Sequence, residues 1–260
     1  MARRITRAKD KIRIAGIPFR IPSSADLAER IGGVLAVLYL IFNEGYLTSG
    51  SDLGSVRDDL TAEAIRLTRL VGILLPDDGE VAGLLALMLL TQARRSSRVT
   101  PAGELVAITS QDRSSWDSAL IAEGHRLVLE RIASGIAPGR YQLLAAINAV
   151  HTDAATIAET DWSQIVALYD QLLAVDPSPI VALNRAIAVA ELDGGDVGLA
   201  AVDRLADQLA GYHAFHATRA DLLSRVGRAR EAREAYDRAI ALAENAAERE
   251  YLVGRRSLLE

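Results

Sequence analysis

Ala220, Leu223, Gly227, Ala232, Tyr236 and Ala239 fall at the mutual spacings of a repeat of roughly 34 residues built from one helix pair, the feature that most limits the fold of this chain. In such a repeat the small residues let two antiparallel helices approach, and the aromatic ring fills the space between them. One pair cannot bury its own apolar face, so neighbours must stack on it. Tyr169 stands 67 residues before Tyr236, close to two repeat lengths, with Leu172 and Pro177 at the following offsets. At least three stacked pairs are therefore expected towards the C-terminus.

The helical period extends over most of the rest. A helix is predicted from the caps Ser23 and Ser24 to Asn43-Glu44-Gly45, with Gly45 as a left-handed cap. A second runs from about Arg57 to Leu75, with Leu60, Ala64, Leu67, Val71 and Leu74 as its apolar stripe and Pro76 as its stop. A third covers Glu80 to Ser96. The period lapses from Arg98 to Arg113, a loop with at most one strand at Leu105 to Ile108. Helices resume at a Ser115 cap and run to Ser134-Gly135, then again from Pro138-Gly139 with Tyr141, Leu144, Ile147 and His151. Thr160-Asp161 caps a helix with Ile165, Leu168, Tyr169 and Leu172 on one face, ending at Asp176-Pro177. Helix pairs separated by Gly194-Gly195, Gly211 and Gly227 follow. The fold class is all-α: tetratricopeptide-like antiparallel helix pairs stacked into a solenoid.

Charge is split along the chain. The first twenty residues hold both lysines, five arginines and one acid, a charge of +6, which leaves −11 for the remainder of a chain whose total is −5. Such a split suggests a nucleic-acid element joined to an acidic body, while composition alone favours a solvated charged N-terminus. Within Met1 to Arg13, Ile5, Ala8 and Ile12 mark one helix face, while Arg3, Arg4, Arg7 and Lys11 spread over the other. Gly16 and Pro18 end that helix. Zero cysteines excludes disulfides, thiolate zinc sites and cysteine catalysis. The longest apolar stretches, Ile31 to Phe42 and Val81 to Leu90, fall short of the roughly 20 residues that span a bilayer. A soluble, cytoplasmic protein with no membrane partner is expected.

The opening run MARRITRAKDKIRIAGIPFRIP resembles the end of the helix-turn-helix of extracytoplasmic-function sigma factors, whose recognition helix closes the domain that reads the promoter −35 element. The words YLIFNEGY (39–46), DDLTAEAIRLTRL (58–70), GLLALMLLTQAR (83–94), QDRSSWD (111–117), TDWSQIVALYD (160–170) and SPIVALNRAIAVAE (178–191) look like the C-terminal extension of one subgroup of these factors. That subgroup ends in a tetratricopeptide-like domain held to control or support sigma activity. Arg3 stands where the family often has Gln, and His125 has no evident family role. The resemblance implies residues 1–15 as the end of a promoter-reading helix, 16–22 as a linker and 23–260 as a helical regulatory domain. Met1 would then be an internal residue of a longer protein; the other reading is that Met1 is a true start and the basic helix an arm. Arg3, Arg4, Arg7 and Lys11 are the implied DNA contacts; RNA polymerase core and promoter DNA are the implied partners of the whole protein, beside a further protein or its own sigma domains.

Candidate groove residues follow from the same words. Asp59, Glu63 and Arg66 fall at i, i+4 and i+7, a solvated face or the concave lining of a solenoid. Asn43, Glu44 and Tyr46 form a helix end that capping chemistry also explains. Gln111, Asp112 and Arg113 lie in the loop, where Asp112, Arg113 and Asp117 read as cap and ion-pair groups. Asn184 and Arg185 interrupt an apolar helix, and a largely buried Arg185 must crosslink neighbours. Trp116 and Trp162 read as core. Asp112, Asp117, Glu123 and His125 lie within fourteen residues but match no helical metal-ligand spacing. His151, His213 and His216 are isolated from carboxylates in sequence. No P-loop, G-x-G-x-x-G or G-x-S-x-G occurs, so neither catalytic residues nor cofactor are assigned. The expected role is a regulatory interaction domain; a small-molecule-sensing helical domain is the alternative, and an enzyme the third.

Overall fold

The computed structural model of the chain describes residues 24–46, 57–98 and 106–259, together with Lys11, Ile14 and Thr100. The implied recognition helix and linker lie outside the described residues except for Lys11 and Ile14, which are both exposed. Helix α1 spans Ser24–Tyr46. The chain divides into two compact units, residues 1–37 and 38–260, and the division falls inside α1. Residues 38–260 carry α2 (Asp58–Leu74), α3 (Gly79–Ala93), α4 (Ser118–Ala133), α5 (Arg140–Asp153), α6 (Trp162–Val175), α7 (Pro179–Asp193), α8 (Gly195–Asp203), the single turn α9 (Ala206–Leu209), α10 (His213–Arg225), α11 (Ala229–Leu242) and α12 (Ala246–Ser257). The loop before α4 holds short 3₁₀ turns at Ile108–Ser110 and Arg113–Ser115, and no strand occurs among the described residues. None of the described helices is long and apolar enough to cross a membrane.

Helix α3 is apolar on every side, and it is buried on every side: Val81, Leu84, Leu85, Met88, Leu89 and Leu90 are all in the core. It packs against α2, α4 and α5. Its contact with α5 is backbone-close, because a Cβ added at Gly83 would lie 2.5 Å from the backbone nitrogen of Gln142. Asp78 caps α3, accepting from the backbone nitrogens of Glu80 and Val81 at 2.9 and 3.0 Å. Gly139, the residue before α5, has no side chain to do the same. Glu80 reaches across from α3 instead, and its carboxylate accepts from the backbone nitrogens of Tyr141 and Gln142 at 3.0 to 3.2 Å. Gly139 leaves the room for it, since a Cβ there would meet the Glu80 carboxyl carbon at 2.5 Å.

From α5 onward the helices stack as pairs: α5 with α6, α7 with α8, and α10 with α11. Helix α7 joins two clusters by using two faces. Val181 and Ala188 pack with Leu143, Ile147, Ile165 and Leu172, whereas Leu183, Ala186 and Ala190 pack with Leu199, Val202 and the α10–α11 pair. Gly198 allows α8 to close on α7, where its Cβ would meet that of Ala190 at 2.3 Å. The repeat positions read in the sequence fill this core: Ala220, Leu223, Ala232, Tyr236 and Ala239 are buried, and Gly227 turns the chain at φ 78°. Tyr169 and Tyr236 lie in the second helices of pairs that stand two apart.

Several local predictions differ from the structure. Gly45 is inside α1 and is absent from the positive-φ positions; its small size matters instead, because a Cβ would sit 2.8 Å from the Arg57 carbonyl oxygen. The buried stripe of α2 is Thr61, Ala64 and Thr68, while Leu74 is 77% exposed. Thr68 tolerates burial because its hydroxyl donates to the Ala64 carbonyl at 2.8 Å. Asp117 rather than Ser115 caps α4, accepting from Ala119 and Leu120.

Candidate functional site

Two features of residues 38–260 are open to a partner. The first is a groove between α4 and α6, floored by α5. It consists of adjoining cavities of about 380 and 390 Å³ that share Val128, Ile132, Ala146 and Leu168. Its α5 floor combines the small residues Ala145, Ala146 and Ala149 with Leu143 and Val150. Leu129 and Ile132 on the α4 wall are 63% and 66% exposed, a cost in water that a partner's apolar surface removes. Arg131, Gln142 and Gln171 lie at one end and Asp153, Glu159 and Asp161 at the other. The groove is open along its length and carries mixed charge at its ends.

The second is the junction where the C-termini of α1, α3 and α5 meet basic side chains. Alternate helices of an up-and-down stack end on the same side, which gathers the negative ends of their dipoles. Arg98 donates to the Tyr46 carbonyl at 3.0 Å, and its guanidinium lies 3.9 Å from the centre of the Tyr46 ring. Arg113 donates to the carbonyls of His151 and Ala154 at 2.8 and 2.6 Å and covers the Trp116 ring. His151 is held edge-on to Trp162. Burial first, then Arg94 and Arg113, lowers its pKa to about 4, so the ring is neutral at pH 7.

The structure brings only part of the sequence-derived set together. Tyr46 and Arg113 belong to this junction; Asn43 and Glu44 share the last turns of α1. Gln111 donates to the Val106 carbonyl at 3.0 Å, and Asp112 caps the 3₁₀ turn by accepting from Ser114. Asp59 pairs with Arg57, and Glu63 with Arg66, on the exposed side of α2; the hydrogen bond from Arg57 lowers the Asp59 pKa, and that from Arg66 lowers the Glu63 pKa. Arg185 crosslinks α7 to Asp170 of α6 at 2.6 Å, but it is one-third exposed rather than buried, and Asn184 is exposed. Arg3, Arg4 and Arg7 lie outside the described residues. Of the acidic set weighed as a metal site, Asp117 caps α4, Glu123 pairs with Arg69 of α2, and His125 bonds the Thr152 hydroxyl at 2.8 Å. Arg94, Arg98 and His151 were not in the set. The signal for the first two was present, as three arginines within five residues closing an apolar helix; His151 carried no signal, because its neighbours come from three other segments.

Comparison with known proteins places these features. Residues 30–132 match the family of unknown function DUF6596. That stretch includes most of α1, all of α2 and α3, and most of α4. An uncharacterized protein of Rhizobium meliloti (strain 1021) is 44% identical over 252 residues, which are 97% of this chain. The chain spans 59% of the length of that curated relative. Among solved structures, a thermophilic TPR protein of Thermus thermophilus is similar at a TM-score of 0.54, with 15% identity, over 86% of this chain and 96% of the other. At that identity the likeness is one of fold: an all-α, tetratricopeptide-like helical protein.

Proposed function

We propose that the chain is the C-terminal regulatory and protein-interaction part of an alternative RNA polymerase sigma factor. The observation that carries the interaction role is the α4–α6 groove, with exposed Leu129 and Ile132 on its α4 wall above the α5 floor. An extended concave surface of this kind holds a peptide or a helix. The small-molecule alternative draws on the Arg131 end of the groove, a half-enclosed, mostly apolar cavity on which Arg131, Gln142 and Gln171 converge. The sigma assignment rests on the basic opening run and on the ordered words that follow it. A relative with two-fifths of its length outside the match has room for the promoter-reading and polymerase-binding parts. Regulation acts through binding, without turnover.

In vitro transcription from the cognate promoter tests this reading, comparing the complete gene product with a version stopped after Pro22 and with a Leu129→Asp, Ile132→Asp double variant. Removal of residues 23–260 changes output: upward if the domain masks the factor, downward if it helps to hold polymerase. The groove variant reproduces that change while keeping its helical circular-dichroism spectrum. Identical output from all three proteins refutes the proposal.

A further inference from the structure

Arg94 ends α3, and its side chain turns into the junction described above. A guanidinium carries five N–H donors and stays charged at any physiological pH. Among the described residues one of the five is used: Nη2 donates to the Asn148 amide oxygen at 3.3 Å. Nε is buried and makes no hydrogen bond. Among the described residues no carboxylate forms an ion pair with Arg94, Arg98 or Arg113; Glu159 is near enough to favour the charge of Arg113 but not of Arg94. Burial lowers the Arg94 pKa; Tyr46 opposes this, and Arg98 and Arg113 beside it add to it.

The helix dipoles do not settle this account. The carbonyls of the neighbouring helix ends go to other arginines, that of Tyr46 to Arg98 and those of His151 and Ala154 to Arg113, and Arg94 donates to none of them. Arg94 is therefore a largely desolvated cation among like charges, an unfavourable arrangement that an anion would complete. His151 adds a second incomplete group, since its Nδ1 is buried without a hydrogen bond and the neutral ring brings one N–H. A planar fork flanked by two further cations and a neutral imidazole is the chemistry that binds an oxyanion in two-point fashion.

We propose that the junction of α3 and α5 is an oxyanion site centred on Arg94, with Arg98 and Arg113 supplying the surrounding positive field and His151 a neutral hydrogen-bonding partner. Its ligand is a phosphate- or carboxylate-type group. The site is independent of the sigma-factor reading, because it asks only that residues 38–260 fold as described.

The test uses the full chain at pH 7 and constant ionic strength, titrated separately with inorganic phosphate and with acetate. Arginine Nε–Hε correlation spectra give the readout. The Arg94 resonance shifts saturably with one of the two anions, and that anion assigns the class. Arg94→Met weakens the same binding at least about tenfold, as loss of a two-point guanidinium contact does. Arg95→Met, which removes a neighbouring arginine paired to Asp58, leaves it unchanged. The proposal is overturned if the Arg94 resonance does not move with either anion, or if Arg94→Met binds as tightly as the parent. Because the titration of the parent protein decides alone, poor folding of Arg94→Met leaves the test intact.

Discussion

Replacing Glu80 tests whether one helix of this stack supplies the cap of another. Gly139 offers no side chain to the first turn of α5, and the Glu80 carboxylate takes the backbone nitrogens of Tyr141 and Gln142 at 3.0 to 3.2 Å. Glu80→Ala removes the acceptor of both donors. Loss of a cap costs about 1 kcal/mol, and loss of an anion at a helix N-terminus about 0.5 kcal/mol more in a half-buried site. Together these lower the melting temperature by about 3 to 6 °C for a chain of this size. Glu80→Gln keeps one acceptor oxygen without the charge and loses about half as much. Circular dichroism at 222 nm follows the melt, and amide hydrogen exchange at Tyr141 and Gln142 reports the local effect. Both amides exchange faster in Glu80→Ala while those of α10 and α11 keep their protection. A melt within about 1 °C of the parent, below the size expected for one lost cap, refutes the reasoning, as does unchanged protection at both amides.

Other substitutions probe the packing and the junction. Gly83→Ala drives a Cβ into the Gln142 backbone, which cannot yield as a flexible side chain would, and costs on the order of 1 to 3 kcal/mol in a chemical-denaturation series. Ala232→Leu overpacks the fully buried α10–α11 contact by a similar amount, whereas Arg230→Ala, on the exposed face of α11, changes the melting temperature little; the reverse ranking refutes the repeat register. His151, with its folded-state pKa near 4 and an unfolded value near 6.5, stays neutral in the fold while the unfolded chain takes up a proton, so its contribution is complete above about pH 6.5 and is lost as pH falls towards 4. Between pH 7.5 and pH 5 the parent therefore loses at most about 2 kcal/mol more stability than His151→Gln, measured by parallel denaturation at the two pH values.

Much of this fold was legible because its causes are local. The 3.6-residue period, the cap Asp161 and the small-residue pattern from Ala220 to Ala239 each act within a turn or two, so residue order alone reveals them. The repeat pattern was legible for a further reason: a helix pair leaves the same gap wherever it occurs, and Tyr236 and its flanking alanines are shaped to that gap. Tertiary structure decided which face of each helix is inside. The stripe read for α2 was nearly right, with Ala64 buried and Leu60, Leu67 and Val71 half-buried, but packing shifts its centre to Thr61, Ala64 and Thr68 and leaves Leu74 exposed; Thr61 lies under Gly45 of α1, Thr68 meets Met88 of α3, and the Thr68 hydroxyl is satisfied within its own helix. The Glu80 cap joins residues some sixty positions apart, and the Arg94 junction gathers Tyr46, Asn148 and His151 from α1 and α5. Charge at such a point depends on which partners arrive, and partners at long separation are set by how helices stack, since periodicity in a sequence specifies a face but not what meets it.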